Sequence, residues 1–257
     1  MKDIEQVVDQ ILMVAYDLIV SGSEVGRTEK QITRMCHAYG MDEVEVFIIT
    51  SSIMISVTSS EGEYYTRIKR IHAYHTDFYL VELLEQLSSY ICVNAPSKEE
   101  ILRYREKIYK EVEREHSWKG NFVSYGVFCF ISMIFTCFFG GTIQDGIASF
   151  VCGIFIKIAF EFLEKNLSNR FFINTISSAI GGFIAWIIYQ FGVVNEVDKV
   201  IIGNIMLLIP GLATVNALKD LISGEMMTGM LRLSDALIQA IAIAIGFALI
   251  LLPIMGV

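Results

Sequence analysis

The sequence has few of the residues that build metal, disulfide or nucleotide sites. Its five cysteines form no Cys-x-x-Cys pair, and three lie in apolar runs, so we expect reduced thiols that pack as small hydrophobes. His72 and His75 are spaced HxxH, but no cysteine or carboxylate cluster accompanies them. No GxxxxGK[ST] phosphate-binding loop occurs. The sequence therefore predicts no metal, no other cofactor and no use of ATP.

Basic residues are also scarce, and most charge lies in the first half. The chain carries 20 Lys and Arg against 28 Asp and Glu, and residues 1–120 hold 14 of the former and 20 of the latter. The formal net charge is −8. Nucleic-acid binding requires a basic face, and none is evident in this acidic chain. We therefore expect no nucleic-acid partner.

The first half has the hydrophobic patterns of an α+β domain. Apolar residues recur at helical spacing from Ile4 to Leu18, and Ser21 with Glu24 has capping-box spacing, which predicts a second helix that runs to Gly40. Three strands are predicted at 43–49, 52–58 and 63–71, with SSEG as the turn between the last two. Two helices are predicted to follow, at 77–93 and 97–117. The N-terminus is charged, unlike a signal peptide. We predict a cytoplasmic α+β domain over 1–96 and an amphipathic connecting helix over 97–120.

The second half consists mainly of apolar runs. Each is close to the roughly 20 residues that cross about 30 Å of hydrocarbon as a helix. The five runs cover residues 121–140, 143–163, 171–191, 200–218 and 231–255. The sequence therefore predicts an α-helical multi-pass membrane protein, with five transmembrane helices in a membrane domain over 121–257, preceded by the cytoplasmic α+β domain.

The distribution of basic residues predicts the orientation. On one side of the membrane the flanking basic residues include Lys119, Lys165, Arg170, Lys219 and Arg232. The loops on the other side hold only Lys199. Because positive charge is retained inside, we expect the N-terminus in the cytoplasm and the C-terminus outside.

The fourth apolar run contains a proline and a glycine, Pro210 and Gly211. At about 1.5 Å per residue, Pro210 lies about 16 Å from Lys199, near the bilayer midplane. Proline removes an N–H group, so a kinked or split helix is predicted, with free carbonyls on one side and free amides on the other. Such a half-helix N-terminus favours a carboxylate, although a simple packing kink is the alternative. The candidate substrate-binding residues are Asn204, Pro210, Gly211, Thr214 and Asn216.

Charged residues in or beside the apolar runs are candidates for gating or coupling. Lys157 and Glu161 have i,i+4 spacing and can pair, either as a gate or with Lys157 extended to the interface. Lys219 and Asp220 mark the cytoplasmic end of the fourth run, where an interfacial role is the alternative. Asp235 is a candidate proton carrier, again with an interfacial alternative.

Two segments resemble a known family. SGSEVGR at 21–27 and PGLATVNALKDLISGE at 210–225 are similar to the N-terminal module of the threonine/serine exporter (ThrE) family. The resemblance covers nearly the whole chain. It implies ion-gradient-driven export of small carboxylate-bearing solutes, such as threonine, serine or a succinate-like dicarboxylate, across a bacterial plasma (inner) membrane.

The resemblance also implies partners. Full-length family members continue into a second membrane module that this sequence lacks. The chain therefore resembles the split members, in which one subunit works beside a small YjjB-like membrane protein implicated in succinate export. Besides the lipid bilayer, the expected partners are such a subunit or further copies of this chain.

Two other classes of protein fit parts of the sequence. A membrane-anchored enzyme could use polar residues of the first half, namely Glu24, Arg27, Glu29, Ser52 and Arg67. A sensor without transport activity is the other possibility. An anchor needs one span and not five with a break near the midplane, so we predict a transporter subunit and not an enzyme.

Overall fold

The computed structural model describes residues 2–59, 62–115 and 118–255, and side chains from residue 4 to residue 252 apart from 60–61 and 116–122. The chain divides into two compact units. The first unit is Met1–His116 with Val215–Leu233, and the second is Ser117–Thr214 with Ser234–Val257. The predicted domain boundaries, 1–96, 97–120 and 121–257, remain a prediction. The first compact unit includes residues 97–116 and 215–233 together with the N-terminal part.

The elements follow the order expected from the hydrophobic patterns. The first part of the chain contains α1 (Lys2–Val20), α2 (Val25–Ala38), β1 (Glu43–Ile49), β2 (Ser52–Thr58), β3 (Tyr64–Arg70), α3 (Phe78–Asn94) and α4 (Lys98–Glu115). The second part contains α5 (Trp118–Phe138), α6 (Ile143–Asn166), α7 (Arg170–Gln190), α8 (Val197–Leu208), α9 (Gly211–Ile222) and α10 (Met226–Met255).

The three strands form an antiparallel sheet in the order β1-β2-β3. The predicted bounds of β1 and β2 are confirmed, and β3 is one residue shorter at each end than predicted. Alternate residues such as Ile48, Ile53 and Ile55 are buried in the same core as α1 and α2, which is the period-two pattern of a half-buried strand. In the predicted SSEG turn, residues 60 and 61 lie outside the described residues.

The predicted capping box at the start of α2 is wrong. The helix begins at Val25 with Glu24 as its N-cap residue, and the Glu24 side chain makes no cap hydrogen bond. Instead, the Glu24 carboxylate pairs with Lys219 at 2.7 Å, and Ser21 is fully buried in the preceding loop. The Val25 amide donates to the carboxylate of Asp220 at 3.3 Å, so a distant residue satisfies the helix N-terminus.

Helix α4 belongs to the core of the first unit. Its Ile101 and Ile108 are buried with α1 and α3. The Arg105 guanidinium donates to Asp17 of α1 at 2.6 and 3.1 Å, and both side chains are largely buried. The predicted continuation of this helix into the membrane involves residues 116 and 117, which lie outside the described residues.

The second unit is built from apolar helices. Within the described residues, three helices are long and apolar enough to cross a membrane: Ile143–Asn166, Arg170–Gln190 and Met226–Leu252. The pair Val197–Leu208 and Gly211–Ile222 makes a fourth if it is one broken span. The described apolar part of α5, Val123–Phe138, is shorter. The count is therefore three or four, and the predicted five spans remain a prediction.

Candidate functional site

The fourth apolar segment is divided at Pro210. Helix α8 ends at Leu208, α9 begins at Gly211, and the two helices are bent by 50°. Proline lacks the N–H that would continue the helix, and the Gly211 amide instead donates to the Ile209 carbonyl at 2.8 Å. Both the amide and the hydroxyl of Thr214 donate to the Pro210 carbonyl, at 3.0 and 2.9 Å. The predicted split of this helix is confirmed.

The break leaves backbone groups without partners. Within the described residues, the amides of Leu212 and Ala213 donate no hydrogen bond, so the first turn of α9 presents two free N–H groups. On the other side of the break, the carbonyls of Met206, Leu207 and Leu208 accept no hydrogen bond in the part of the chain that the structure describes. Unpaired backbone groups in a bilayer require a cavity, protein or ligand nearby. The partial positive charge at the start of α9 is suited to an anion.

Asn204 lies in a buried polar cluster in the second unit. Ser132 of α5, Ser149 of α6 and Asn204 are all fully buried. The Ser132 hydroxyl donates to the Asn204 side-chain carbonyl at 2.9 Å, and the two serine hydroxyls lie 2.6 Å apart. The Asn204 amide donates to Ser149 Oγ at 3.1 Å and to the Val200 carbonyl at 2.8 Å. Asn204 thus joins three helices, and both its N–H groups are already used.

Beside this cluster, α8 lies close to α5, and Gly203 makes this close approach possible. A Cβ atom at this position would overlap Thr136 Oγ1 and lie 2.9 Å from the Ser132 carbonyl oxygen. Gly203→Ala should therefore lower the free energy of unfolding by about 1–3 kcal/mol, because the backbones must separate. Gly126→Ala in α5 is the matched control, since no atom lies within 4 Å of its added methyl. Thermal unfolding in detergent should show a loss of stability for Gly203→Ala only. An equal change in melting temperature for the two variants would contradict the packing argument.

The charged candidates of the second unit occupy different places. Lys157 and Glu161 form the expected i,i+4 pair at 3.3 Å. Glu161 also accepts a hydrogen bond from the Tyr125 hydroxyl at 2.6 Å. Asp235 is exposed and accepts from Gln239 at 2.8 Å. The Lys157 pair is thus held by a neighbouring helix, whereas Asp235 is bonded within α10.

The remaining candidates lie in the first unit, in a segment that we call the elbow, residues 216–232. Asn216 Nδ2 donates to the Gly22 carbonyl at 3.4 Å, and Lys219 pairs with Glu24 at 2.7 Å. Asp220 is 1% exposed, so the interfacial alternative does not describe it. The structure therefore brings together the two segments that carried the family resemblance, 21–27 and 210–225, through residues 22–25 and 216–220.

Arg232 completes the buried charge pair of the elbow. Its guanidinium donates to Asp220 at 2.7 Å and lies 5.7 Å from the centre of the Tyr74 ring. One turn earlier, the Thr228 hydroxyl donates to the Ile48 carbonyl of β1 at 3.1 Å. Sequence reasoning treated Arg232 only as an orientation signal and missed Tyr74 and Thr228. The sequence feature that could have identified Arg232 was its position as a basic residue near the start of a long apolar helix.

The residues proposed for an anchored enzyme are not gathered into one site. Arg27 pairs with Glu85 of α3 at 2.6 Å, whereas Arg67 pairs with Asp9 of α1 at 2.9 Å. Glu24 pairs with the elbow. Among the described residues, no group of three His, Cys, Asp or Glu side chains is arranged to hold a metal ion. The polar residues of this unit mainly join its elements to one another.

Within the described residues, three apolar helices of membrane-spanning length, and a fourth span if α8 and α9 form one broken span, are the pattern of a multi-pass membrane protein. The chain belongs to the ThrE family, described as "Putative threonine/serine exporter", whose model matches residues 9–252.

Two relatives have names that describe transport. A "Threonine/serine exporter" of Corynebacterium glutamicum is 26% identical over 90% of this chain and 48% of its own length. A "Probable succinate transporter subunit YjjP" of Klebsiella aerogenes is 23% identical over 91% of this chain and 89% of its own. The chain thus spans about half of the first relative and most of the second. No solved structure matches it.

Proposed function

We propose that this chain is a subunit of a secondary transporter that exports small carboxylate-bearing solutes, threonine, serine or a succinate-like dicarboxylate, driven by an ion gradient. The observation that carries the proposal is the pair of unpartnered amides at the start of α9, on Leu212 and Ala213. Two N–H groups at a helix N-terminus match the two oxygens of a carboxylate and add a partial positive charge. All three solutes carry such a group.

The other candidate residues have supporting roles in this proposal. Pro210 and Gly211 create the break, and Thr214 fixes the turn by its bond to the Pro210 carbonyl. Asn204 holds α8 against its neighbours, because its own amide is occupied. Asn216 contributes a polar group further along α9. The charged residues Lys157, Glu161, Lys219, Asp220 and Asp235 are the proposed gating or coupling groups.

The arrangement in the membrane is part of the proposal. Five spans place the N-terminus in the bacterial cytoplasm and the C-terminus outside, as the basic residues of the connecting segments indicate. A second membrane subunit of the YjjB-like kind completes the pathway, with self-association as the alternative. Two facts support a partner: the Corynebacterium exporter is about twice as long as its matched region, and the Klebsiella relative is named as a subunit.

Reconstitution tests the proposal. Liposomes containing this chain, a YjjB-like membrane subunit, or both would be loaded with labelled threonine, serine or succinate. We expect release of at least one carboxylate solute only when both chains are present and an ion gradient is applied. Robust export by the purified monomeric chain would contradict the subunit role. Absence of carboxylate flux under every condition, with correctly inserted protein, would contradict transport itself.

A further inference from the structure

The three-stranded sheet has one side in the core of the first unit. On β2 the side chains of Ile53, Ile55 and Val57 are buried there, and the residues that alternate with them point the opposite way. The side chains on that opposite side, which we call the outer face, are exposed or half-buried. The outer face consists of Glu43, Glu45, Phe47 and Ile49 of β1, Ser52, Met54, Ser56 and Thr58 of β2, and Tyr64, Thr66, Ile68 and Arg70 of β3.

A row of large apolar side chains crosses the outer face. Phe47 pairs with Met54, and Met54 pairs with Ile68, so the three residues are direct neighbours on three strands. Their exposed fractions are 51%, 36% and 65%. Single exposed apolar residues are ordinary on a protein surface, whereas a contiguous group with polar residues around it is the pattern of a contact surface.

Two unpaired charges lie on opposite sides of this row. Glu45 is on β1 and pairs with Ser56, two residues from Met54 in one direction. Arg70 is on β3 and pairs with Ser52, two residues from Met54 in the other direction. Met54 is therefore midway between them. From strand spacing and rise, the backbone positions of Glu45 and Arg70 are about 16 Å apart, too far for an ion pair within one chain. Neither side chain forms a hydrogen bond or ion pair within the described residues.

This arrangement of charges is complementary to itself. Consider a two-fold axis that is parallel to the outer face, passes over Met54 and is perpendicular to the line from Glu45 to Arg70. Rotation about that axis places Glu45 of each chain opposite Arg70 of the other, with Met54 against Met54 at the centre. A two-fold contact between identical chains requires a surface that matches itself in this way.

We propose that the outer face is a contact surface between two copies of this chain, packed face to face about Met54. The apolar row provides the centre of the contact, and the two pairs of Glu45 with Arg70 fix its register. The proposal does not rest on transport, because the outer face belongs to the first unit and the contact can be measured without any flux.

The charge of the outer face favours a second copy over a lipid surface. The face carries two carboxylates, those of Glu43 and Glu45, and one cation, that of Arg70. The anionic lipids of a membrane surface attract basic segments and repel acidic ones. A face with this charge is therefore poorly suited to anionic lipids, whereas a second copy neutralises both Glu45 and Arg70.

The size of the outer face determines where the contact can form. Three strands of seven residues present about 300 Å². A stable dimer in solution buries roughly 800 Å² on each partner, so this contact is weak by itself. Chains held in one membrane meet at a high local concentration, which favours weak contacts. The test must therefore be made in a bilayer.

Cross-linking in liposomes tests the contact. Met54→Cys, reconstituted with no other protein and treated with a short bismaleimide, should form a covalent dimer. Val93→Cys, at a largely exposed position on α3, is the matched control for random encounters. The unmodified chain reports any reaction of the native cysteines. We expect the dimer from Met54→Cys to exceed that from both controls.

Charge reversal identifies the partner as a second copy. Glu45→Arg or Arg70→Glu, each added to Met54→Cys, should lower cross-linking by about tenfold, because each makes both ion pairs repulsive. An equal mixture of the two reversed chains should restore cross-linking, since each mixed pair again joins opposite charges. A chain with both reversals should also cross-link normally. Lys107→Glu, at an exposed position on α4, is the control and should have no effect.

Three results would overturn the proposal. The first is cross-linking of Met54→Cys no stronger than that of Val93→Cys. The second is cross-linking that neither charge reversal weakens or that the mixture does not restore. The third is cross-linking of Met54→Cys to an added YjjB-like subunit in place of a second copy, which would assign the outer face to that subunit. Because flux is not measured, each result is independent of whether the chain transports a carboxylate solute.

Discussion

Replacing Pro210 with alanine should close the break between α8 and α9 and greatly reduce export. Alanine restores an N–H for the Met206 carbonyl and favours the helix by about 3 kcal/mol relative to proline. A continuous helix would use the free amides of Leu212 and Ala213. Each lost hydrogen bond to a charged group is worth about 1.5–3 kcal/mol, so substrate affinity should fall by about tenfold to a hundredfold per bond.

Pro253→Ala is the control for this prediction, because helix α10 continues through Pro253 without a break. Affinity and flux would be measured for both variants, with melting temperatures determined in parallel. We expect Pro210→Ala to melt at the same or a higher temperature while it loses affinity, and Pro253→Ala to keep its affinity. Normal substrate affinity in Pro210→Ala would show that the break is a packing kink.

Removing the charge of Arg232 should cause the largest loss of stability. Arg232→Gln leaves the Asp220 carboxylate buried without its cation, and breaking a buried pair in this way costs about 3–5 kcal/mol. The side chains of the two residues are 14% and 2% exposed, so water cannot replace the lost partner. Asp220→Asn combined with Arg232→Gln should recover part of the loss, because neither uncompensated charge remains. Denaturant or thermal unfolding of the purified chain measures the difference.

The ion pair between Lys219 and Glu24 provides the control. It starts from the residue next to Asp220 in α9, but its side chains are 55% and 37% exposed. Lys219→Met should therefore cost less than about 1 kcal/mol. If the Lys219 variant loses as much stability as the Arg232 variant, burial does not determine the strength of these pairs.

Features encoded in short stretches of sequence were predictable. The bounds of β1 and β2 follow from alternating apolar residues, and the split at Pro210 follows from the missing N–H of proline. The capping box failed because Ser21 and Glu24 find partners elsewhere, 54 and 195 positions along the chain. A local sequence pattern gives no information on distant residues that bind the same side chains.

The same limit applies to the site. Hydropathy could place Asp220 at a helix end, but it could not reveal the hydrogen bond from the Val25 amide, which is 195 positions away. The cluster of Ser132, Ser149 and Asn204 was missed because serines in apolar helices are common and only packing reveals which of them meet.

Competition during export is the most direct test that a carboxylate is the recognised group. The reconstituted two-subunit transporter would release labelled threonine or succinate in the presence of the unlabelled solute or its carboxamide, threoninamide or succinamide. We predict that the unlabelled carboxylate reduces labelled flux and that the carboxamide, at the same concentration, leaves it unchanged. Equal inhibition by carboxylate and carboxamide would contradict recognition of a carboxylate at the break in α8–α9.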